Sequence, residues 1–244
     1  MLSYIMIKNN HVQIICTRHN EYGNCDAEEL YKIIENLEPE VIFEELDEKY
    51  FYKAYNDLLF NTLEVKTVLN YLSKYNIKHF PVDTFKDTEK NLRNKYYIED
   101  YLKEKIEEYK NVLQTQNIYS MKYGFDFLNS IQFIELNKKI KSYENEYFKK
   151  TNDEEFKIIY QEYINWYNNR EHEIIKNIYK YAEELDFNKA ILLIGADHLI
   201  TIKEKLIEYK KKYNNINWIY DIKDLDFKAE LIPPNAPFLQ IIAI

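Results

Sequence analysis

The run Ala190-Ile191-Leu192-Leu193-Ile194 constrains this chain more than any other segment. Uninterrupted apolar runs of this length fill the interior of a parallel sheet, where both faces of a strand are covered. Val12-Gln13-Ile14-Ile15-Cys16 and Val41-Ile42-Phe43 are runs of the same kind. Residues 78–82 give a further strand leading into Asp83, and residues 217–220 and 238–242 read as late strands. Helical patterns lie between them. Asp26 and Glu29 have the spacing of a capping box, and Ala27, Leu30, Tyr31, Ile34 and Leu37 then share one helix face before Pro39 stops it. Residues 63–75 repeat the helical pattern. Ile202, Leu206, Tyr209 and Tyr213 mark another helix after the 190–194 strand. Strands alternating with helices predict an α/β fold, a mostly parallel central sheet flanked by helices. Functional groups in such a sheet gather outside the carboxyl ends of the strands.

The middle of the chain departs from this alternation. Residues 92–185 carry almost unbroken helical periodicity, in three stripes: Leu92, Tyr96, Leu102, Ile106, Tyr109 and Leu113; Phe133, Leu136, Ile140, Tyr143 and Tyr147; Phe156, Ile159, Tyr163 and Tyr167. Gly124 and Asn152-Asp153 are the expected breaks. Residues 1–244 thus read as a single domain with an all-helical insertion over about 90–186. That insertion either covers the strand ends and sets specificity or forms a contact between copies of a homo-oligomer. Trp166 and Trp218 are expected in the core or between helices and sheet. Pro233, Pro234 and Pro237 predict a rigid turn before the last strand.

Composition narrows the function classes. A net charge of −8 lacks the basic face of a phosphate-tracking protein, so no nucleic-acid partner is expected. Lys210, Lys211 and Lys212 continue an amphipathic helix and read as a solvated face. The opening residues do not resemble a secretory signal, and no apolar run reaches membrane-spanning length. Two cysteines, Cys16 and Cys25, fit a reducing compartment, so a cytoplasmic protein without a membrane partner is expected. With only 3 glycines in 244 residues, each is expected where a side chain does not fit or φ is positive.

Of the 5 histidines, two occupy matching places. His19 follows the first strand, in Cys16-Thr17-Arg18-His19, and His198 follows the strand at 190–194, in Gly195-Ala196-Asp197-His198. Glu44 and Glu45 close the second strand, where a carboxylate needs solvent, a cation or a donor. Each of these residues alone is equally at home as a loop histidine or a turn carboxylate; together they place two imidazoles and a carboxylate at three strand exits. His79, His172 and His11 read as packed or peripheral, and Asp83 reads as a cap.

Glu45-Leu46-Asp47, Gly195-Ala196-Asp197-His198 and Arg170 ahead of Ile174, Ile175 and Ile178 together resemble the TraB/PrgY/Tiki group, itself related to the erythromycin esterase-like and ChaN-like proteins. That group carries a Gly-x-x-His motif after its first strand, a strand ending in Glu-Leu, a second Gly-x-x-His near its carboxyl end and an arginine that opens a helix. Cys16 stands here where the first motif has glycine; cysteine packs well in a strand. The resemblance covers the front and last thirds of the chain.

The resemblance implies a hydrolase acting on a peptide or small-molecule substrate. In a metal-dependent version His19, Glu45 and His198 hold a divalent ion (Zn, Mn or Co) that activates water. Glu44 or Asp47 then orients a ligand or acts as base, and Arg170 holds an oxyanion or substrate carboxylate. A metal-free version makes His19 a general base oriented by Glu45, with His198 completing the pocket. The alternative class is a non-catalytic binding or regulatory module that uses the same rim for a peptide, a haem-like ligand or a partner protein.

Overall fold

The computed structural model describes residues 10–59, 61–84 and 88–225. The expected strand at 238–242 and the proline turn before it lie outside the described residues. Five strands, β1 (Asn10–Thr17), β2 (Val41–Glu44), β3 (Lys78–Pro81), β4 (Lys189–Gly195) and β5 (Ile216–Tyr220), form one sheet in the order β3-β2-β4-β1-β5. Every pairing is parallel. The 190–194 run lies in β4, at the centre of the sheet, and Ala190 to Ile194 are all buried. This is the expected α/β architecture.

The helices are α1 (Ala27–Leu37), α2 (Glu48–Tyr55), α3 (Leu63–Leu72), α4 (Thr88–Lys105), α5 (Glu107–Leu128), α6 (Ile131–Lys150), α7 (Glu154–Glu184) and α8 (Leu199–Lys212). Asp26 caps α1 by accepting the Glu29 N–H at 2.9 Å, as the capping-box spacing predicts. Right-handed crossovers send the connections after β1 and β2 to one face of the sheet, and those after β3 and β4 to the other. In keeping with this, α1 packs on α3 and α7 on α8. The chain leaves β1 and β4, adjacent strands, toward opposite faces. Their carboxyl ends therefore frame the crevice where a parallel sheet binds its ligand.

Four helices, α4 to α7, make up the middle of the chain. Asn152-Asp153 is a break, and Asp153 caps α7. Gly124 is a kink inside α5, with φ 57° and ψ −137°, and the chain turns only at Asn129-Ser130. The first expected stripe needs correction. Leu92 and Tyr96 are exposed, whereas Asn91, Ile98 and Leu102 are the buried positions of α4. Ile106 separates α4 from α5 with an extended backbone, so one register cannot run through both. These helices have an apolar centre of their own, in which Ile98, Leu102, Tyr109, Ile140, Phe156, Tyr160, Tyr163 and Tyr167 are buried together. Tyr167 carries this centre to the strand ends.

Candidate functional site

Successive strand residues point to opposite faces, so the Glu44-Glu45 pair splits. Glu44 is almost fully buried. Its Oε1 lies 2.8 Å from His79 Nδ1, and its Oε2 accepts the Tyr55 hydroxyl. Phe51 and Tyr55 pack on the His79 ring. Burial pushes the Glu44 carboxyl up despite His79 and Tyr55. Glu44 thereby fastens α2 to the edge strand β3. Asp47 caps α2 through the Tyr50 N–H at 2.7 Å.

Glu45 turns the other way and gathers charges. Its Oε1 accepts from Arg170 at 2.8 Å and lies 3.2 Å from His198 Nε2. Its Oε2 accepts the Gly195 N–H at 2.6 Å. A Cβ at Gly195 would stand 3.3 Å from that oxygen, so glycine allows the close approach. Burial alone would raise the Glu45 carboxyl, but the charges of His198, Arg170 and His19 hold it well below the usual carboxylate range. The Arg170 guanidinium also forks onto Asp83, with Nε 3.0 Å from Oδ2, and lies 4.5 Å over the Trp166 ring. Arg170 does not open a helix. It sits midway along the 31-residue α7, whose length carries the side chain from the helical layer down to the rim.

His198 is held on three sides. Nδ1 lies 2.8 Å from Glu171 Oε1, Nε2 faces Glu45, and the ring stacks on Tyr167 at 4.3 Å with an 8° interplanar angle. Glu171 is fully buried and also receives Thr201 and Lys205, each at 2.5 Å. Burial works against a charged imidazole here, yet Glu45 and Glu171 outweigh it and lift the His198 pKa to about 9. Glu171, His198, Glu45, Arg170 and Asp83 thus form one buried chain of alternating charge between α7 and the segments that follow β2, β3 and β4.

His19 is open to solvent, its side chain 56% exposed. Its Nδ1 lies 3.4 Å from Glu64 Oε1, which also accepts the Thr17 hydroxyl at 2.7 Å. The protein around the ring disfavours its charge, but Glu64 prevails and lifts the pKa to about 9. Glu64 Oε2 is buried without a hydrogen-bond partner among the described residues. His19, Glu45, Glu64, Thr62 and Leu193 line a cavity of about 20 Å³, room for one water molecule. Cys16, nearby on β1, is held by the Asn129 amide, which accepts its N–H at 2.8 Å and donates to its carbonyl at 3.1 Å. Burial pushes the Cys16 thiol up, so packing is its role.

The structure therefore brings Glu45, His198 and Arg170 into direct contact and sets His19 beside them across the cavity, which Glu44 also lines while its carboxylate is held by His79 and Tyr55. Three participants escaped the sequence: Glu64, Glu171 and Asp83 in its role as partner of Arg170. Glu171 had a readable signal, since Tyr167, Glu171, Ile174 and Ile178 fall on one helix face and a carboxylate on an apolar stripe demands a partner. His172 meets Tyr209 at 3.3 Å and His11 meets Asn217 at 3.0 Å, both away from the cavity. Trp218 is in the core, donating to the Tyr179 hydroxyl at 3.2 Å.

Among the described residues no group of three or more His, Cys, Asp or Glu side chains is placed so as to hold a metal ion. Both nitrogens of His198 face carboxylates, Nε2 toward Glu45 and Nδ1 toward Glu171, and His19 stands across the cavity from Glu45. No helix among the described residues is long and apolar enough to cross a membrane. Set against protein-family models, curated proteins and solved structures, the chain finds no match.

Proposed function

We propose that this chain is a hydrolase of ester or amide bonds, with Glu64 and His19 as its acid–base pair. The observation that carries the reading is the unpartnered, buried Glu64 Oε2 beside His19 at a cavity sized for one water. Such a water donates to Glu64 Oε2 and is activated by it. The water oxygen bonds to the substrate carbonyl carbon, Glu64 takes the proton, and charged His19 gives its Nε2 proton to the leaving group as that bond breaks. The proton on Glu64 then returns to His19, restoring both groups. Glu45 adds negative charge that keeps His19 protonated, and the chain from Glu171 to Asp83 fixes Glu45 in place. His198 and Arg170 act as positioning residues. The likeness to the TraB/PrgY/Tiki group, and with it a peptide or small-molecule substrate in the cytoplasm, belongs to this reading; two free, buried cysteines support a reducing compartment.

A binding module is the second reading, favoured by how completely His198, Glu45 and Arg170 are paired with one another. The test is hydrolysis of p-nitrophenyl acetate, p-nitrophenyl butyrate and aminoacyl p-nitroanilides by wild type, Glu64→Gln and His19→Ala, with and without a strong chelator. The expected result is wild-type turnover that falls about 100-fold or more in either variant, the usual contribution of a positioned proton-transfer group, and that ignores the chelator. Turnover abolished by chelation would move the assignment to a metal held by His19, Glu45 and His198. No turnover in wild type, or rates unchanged in both variants, would favour the binding module.

A further inference from the structure

Gly124 interrupts α5, with φ 57° and ψ −137°. A helix end leaves its last four carbonyls without intrahelical donors, and before this kink they are the carbonyls of residues 120–123. Three of them accept from the loop between β1 and α1, the loop that carries His19. Asn24 gives its backbone N–H to the Met121 carbonyl at 2.9 Å and its Nδ2 to the Lys122 carbonyl at 2.8 Å. The Cys25 thiol reaches the Ser120 carbonyl at 3.5 Å. The two backbones meet through a glycine on each side. A Cβ at Gly23 would stand 2.3 Å from the Met121 carbonyl oxygen, and one at Gly124 would stand 2.5 Å from that of Asn24. Both glycines have positive φ, a conformation that other residues rarely adopt.

The same helix grips this segment ahead of His19 as well. β5 pairs with β1 only as far as Ile14, so beyond it no strand lies beside Cys16 on that side among the described residues. The side-chain amide of Asn129, at the end of α5, takes that place. It accepts the Cys16 N–H and donates to the Cys16 carbonyl, as a neighbouring strand would. His19 thus lies between two attachments to α5, one at Cys16 and one at Asn24. Helix α3 supplies the remaining hold: the Leu63 N–H donates to the His19 carbonyl at 3.0 Å, and Glu64 Oε1 lies 3.4 Å from Nδ1. With the ring 56% exposed, those backbone ties decide where it stands against Glu64. Two of the chain's 3 glycines serve the tie to α5, and the third, Gly195, receives Glu45.

We propose that the kinked end of α5 positions His19 for proton transfer, with Asn24 and Asn129 as the positioning residues. The proposal rests on the hydrolase reading and gives the helical layer a part in that reaction. The test compares wild type, Asn24→Ala, Asn129→Ala and Asp153→Ala. The last loses the cap of α7, in the same layer, and leaves the loop untouched. Ring NMR, with the His19 signal assigned through His19→Ala, follows its titration in each chain. Hydrolysis of an aminoacyl p-nitroanilide, whose leaving amine needs a proton, gives kcat, KM and their pH profiles. His19 titrates at about 9 in the wild type: the protein around the ring lowers the value, Glu64 and Glu45 raise it, and Lys95 lowers it. A ring released from Glu64 falls back toward 6.5. The account predicts that fall in both Asn variants. It also predicts a kcat lower by about 10-fold or more with KM little changed, and a rate that declines at lower pH. Asp153→Ala should keep the wild-type titration and rate. Asn24 is exposed, so its variant folds and decides the matter even where Asn129→Ala does not. A His19 titration and kcat in Asn24→Ala equal to those of Asp153→Ala would overturn the proposal. A shifted His19 titration in a chain that hydrolyses nothing would leave the positioning standing and overturn the hydrolase reading. Hydrolysis that Asn24→Ala keeps at the wild-type rate would do the reverse.

Discussion

Glu171 Oε1 stands 2.8 Å from His198 Nδ1, a carboxylate with no solvent exposure against an imidazole that is 4% exposed. The pair joins α7 to the turn that follows the central strand β4. It is also where the helical layer and the sheet share charge, through Lys205 and Glu45 on either side. Removing one member strands the others. Glu171→Ala leaves His198 and Lys205 without their carboxylate and should lower unfolding free energy by about 3–5 kcal/mol, the range for breaking a buried pair. Urea denaturation checks this, and a loss under about 1 kcal/mol would mean that the pair is only a surface-like contact.

The raised pKa of His198 sets a pH dependence whose sign is definite. The group ordinarily titrates at 6.5 and does so at about 9 in the fold. Its contribution is therefore complete below pH 6.5 and is lost as pH rises through about 9. Wild type should lose up to about 3 kcal/mol across that window, and His198→Gln should show a flatter curve. Denaturation midpoints at matched pH values measure the difference. A wild type as stable above pH 9 as below pH 6.5, relative to the variant, would contradict the charged state of His198.

Gly124 and Gly195 differ in what they do, and substitution should separate them. At Gly124, φ is 57° and a Cβ would meet the Asn24 carbonyl oxygen at 2.5 Å, so Gly124→Ala brings both backbone strain and a clash with backbone. A loss of about 3 kcal/mol or more is expected. At Gly195, φ is −55° and the nearest atom is a carboxylate oxygen at 3.3 Å, which shifts by a few tenths of an ångström. Gly195→Ala should lose about 1–2 kcal/mol, with the weakened hold on Glu45 visible as reduced turnover. Thermal melts and rates of the two variants provide the comparison, and equal melting temperatures would refute it.

What the sequence disclosed and what it withheld follow from periodicity. The strands at 12–16, 41–43 and 190–194 were legible because an apolar run buried on both faces has few other interpretations. His19, Glu45 and His198 were legible as strand exits, because a parallel sheet brings those ends together wherever helices separate the strands. Glu64 was not, since a glutamate one position into a helix reads as a dipole-complementing surface group until β1 is seen packed against it. The short α2 follows Asp47 directly, and its 8 residues are too few for a helical stripe to stand out. Leu92 and Tyr96 looked buried because tyrosine serves core and surface alike, and a chain with 24 of them blurs the boundary of every stripe.

Arg170 tests whether the fork matters beyond its charge. It reaches Asp83 through Nε and its terminal nitrogen and Glu45 through the latter, so lysine keeps the charge but cannot span both carboxylates. Arg170→Lys should lose about 2 kcal/mol and reduce turnover without shifting its pH dependence. Stability and pH–rate profiles of the variant check both halves of that expectation.

The central claim is that His19 acts as the acid and Glu64 as the base, and the pH dependence of turnover addresses it most directly. With the His19 pKa at about 9, the rate of the wild type should hold through neutral pH and fall as pH rises past about 9. Glu64→Gln, deprived of the carboxylate that raises that pKa, should retain only a small residual rate, with its decline shifted to lower pH. A rate that instead climbs through pH 9 would make His19 the base and contradict the assignment.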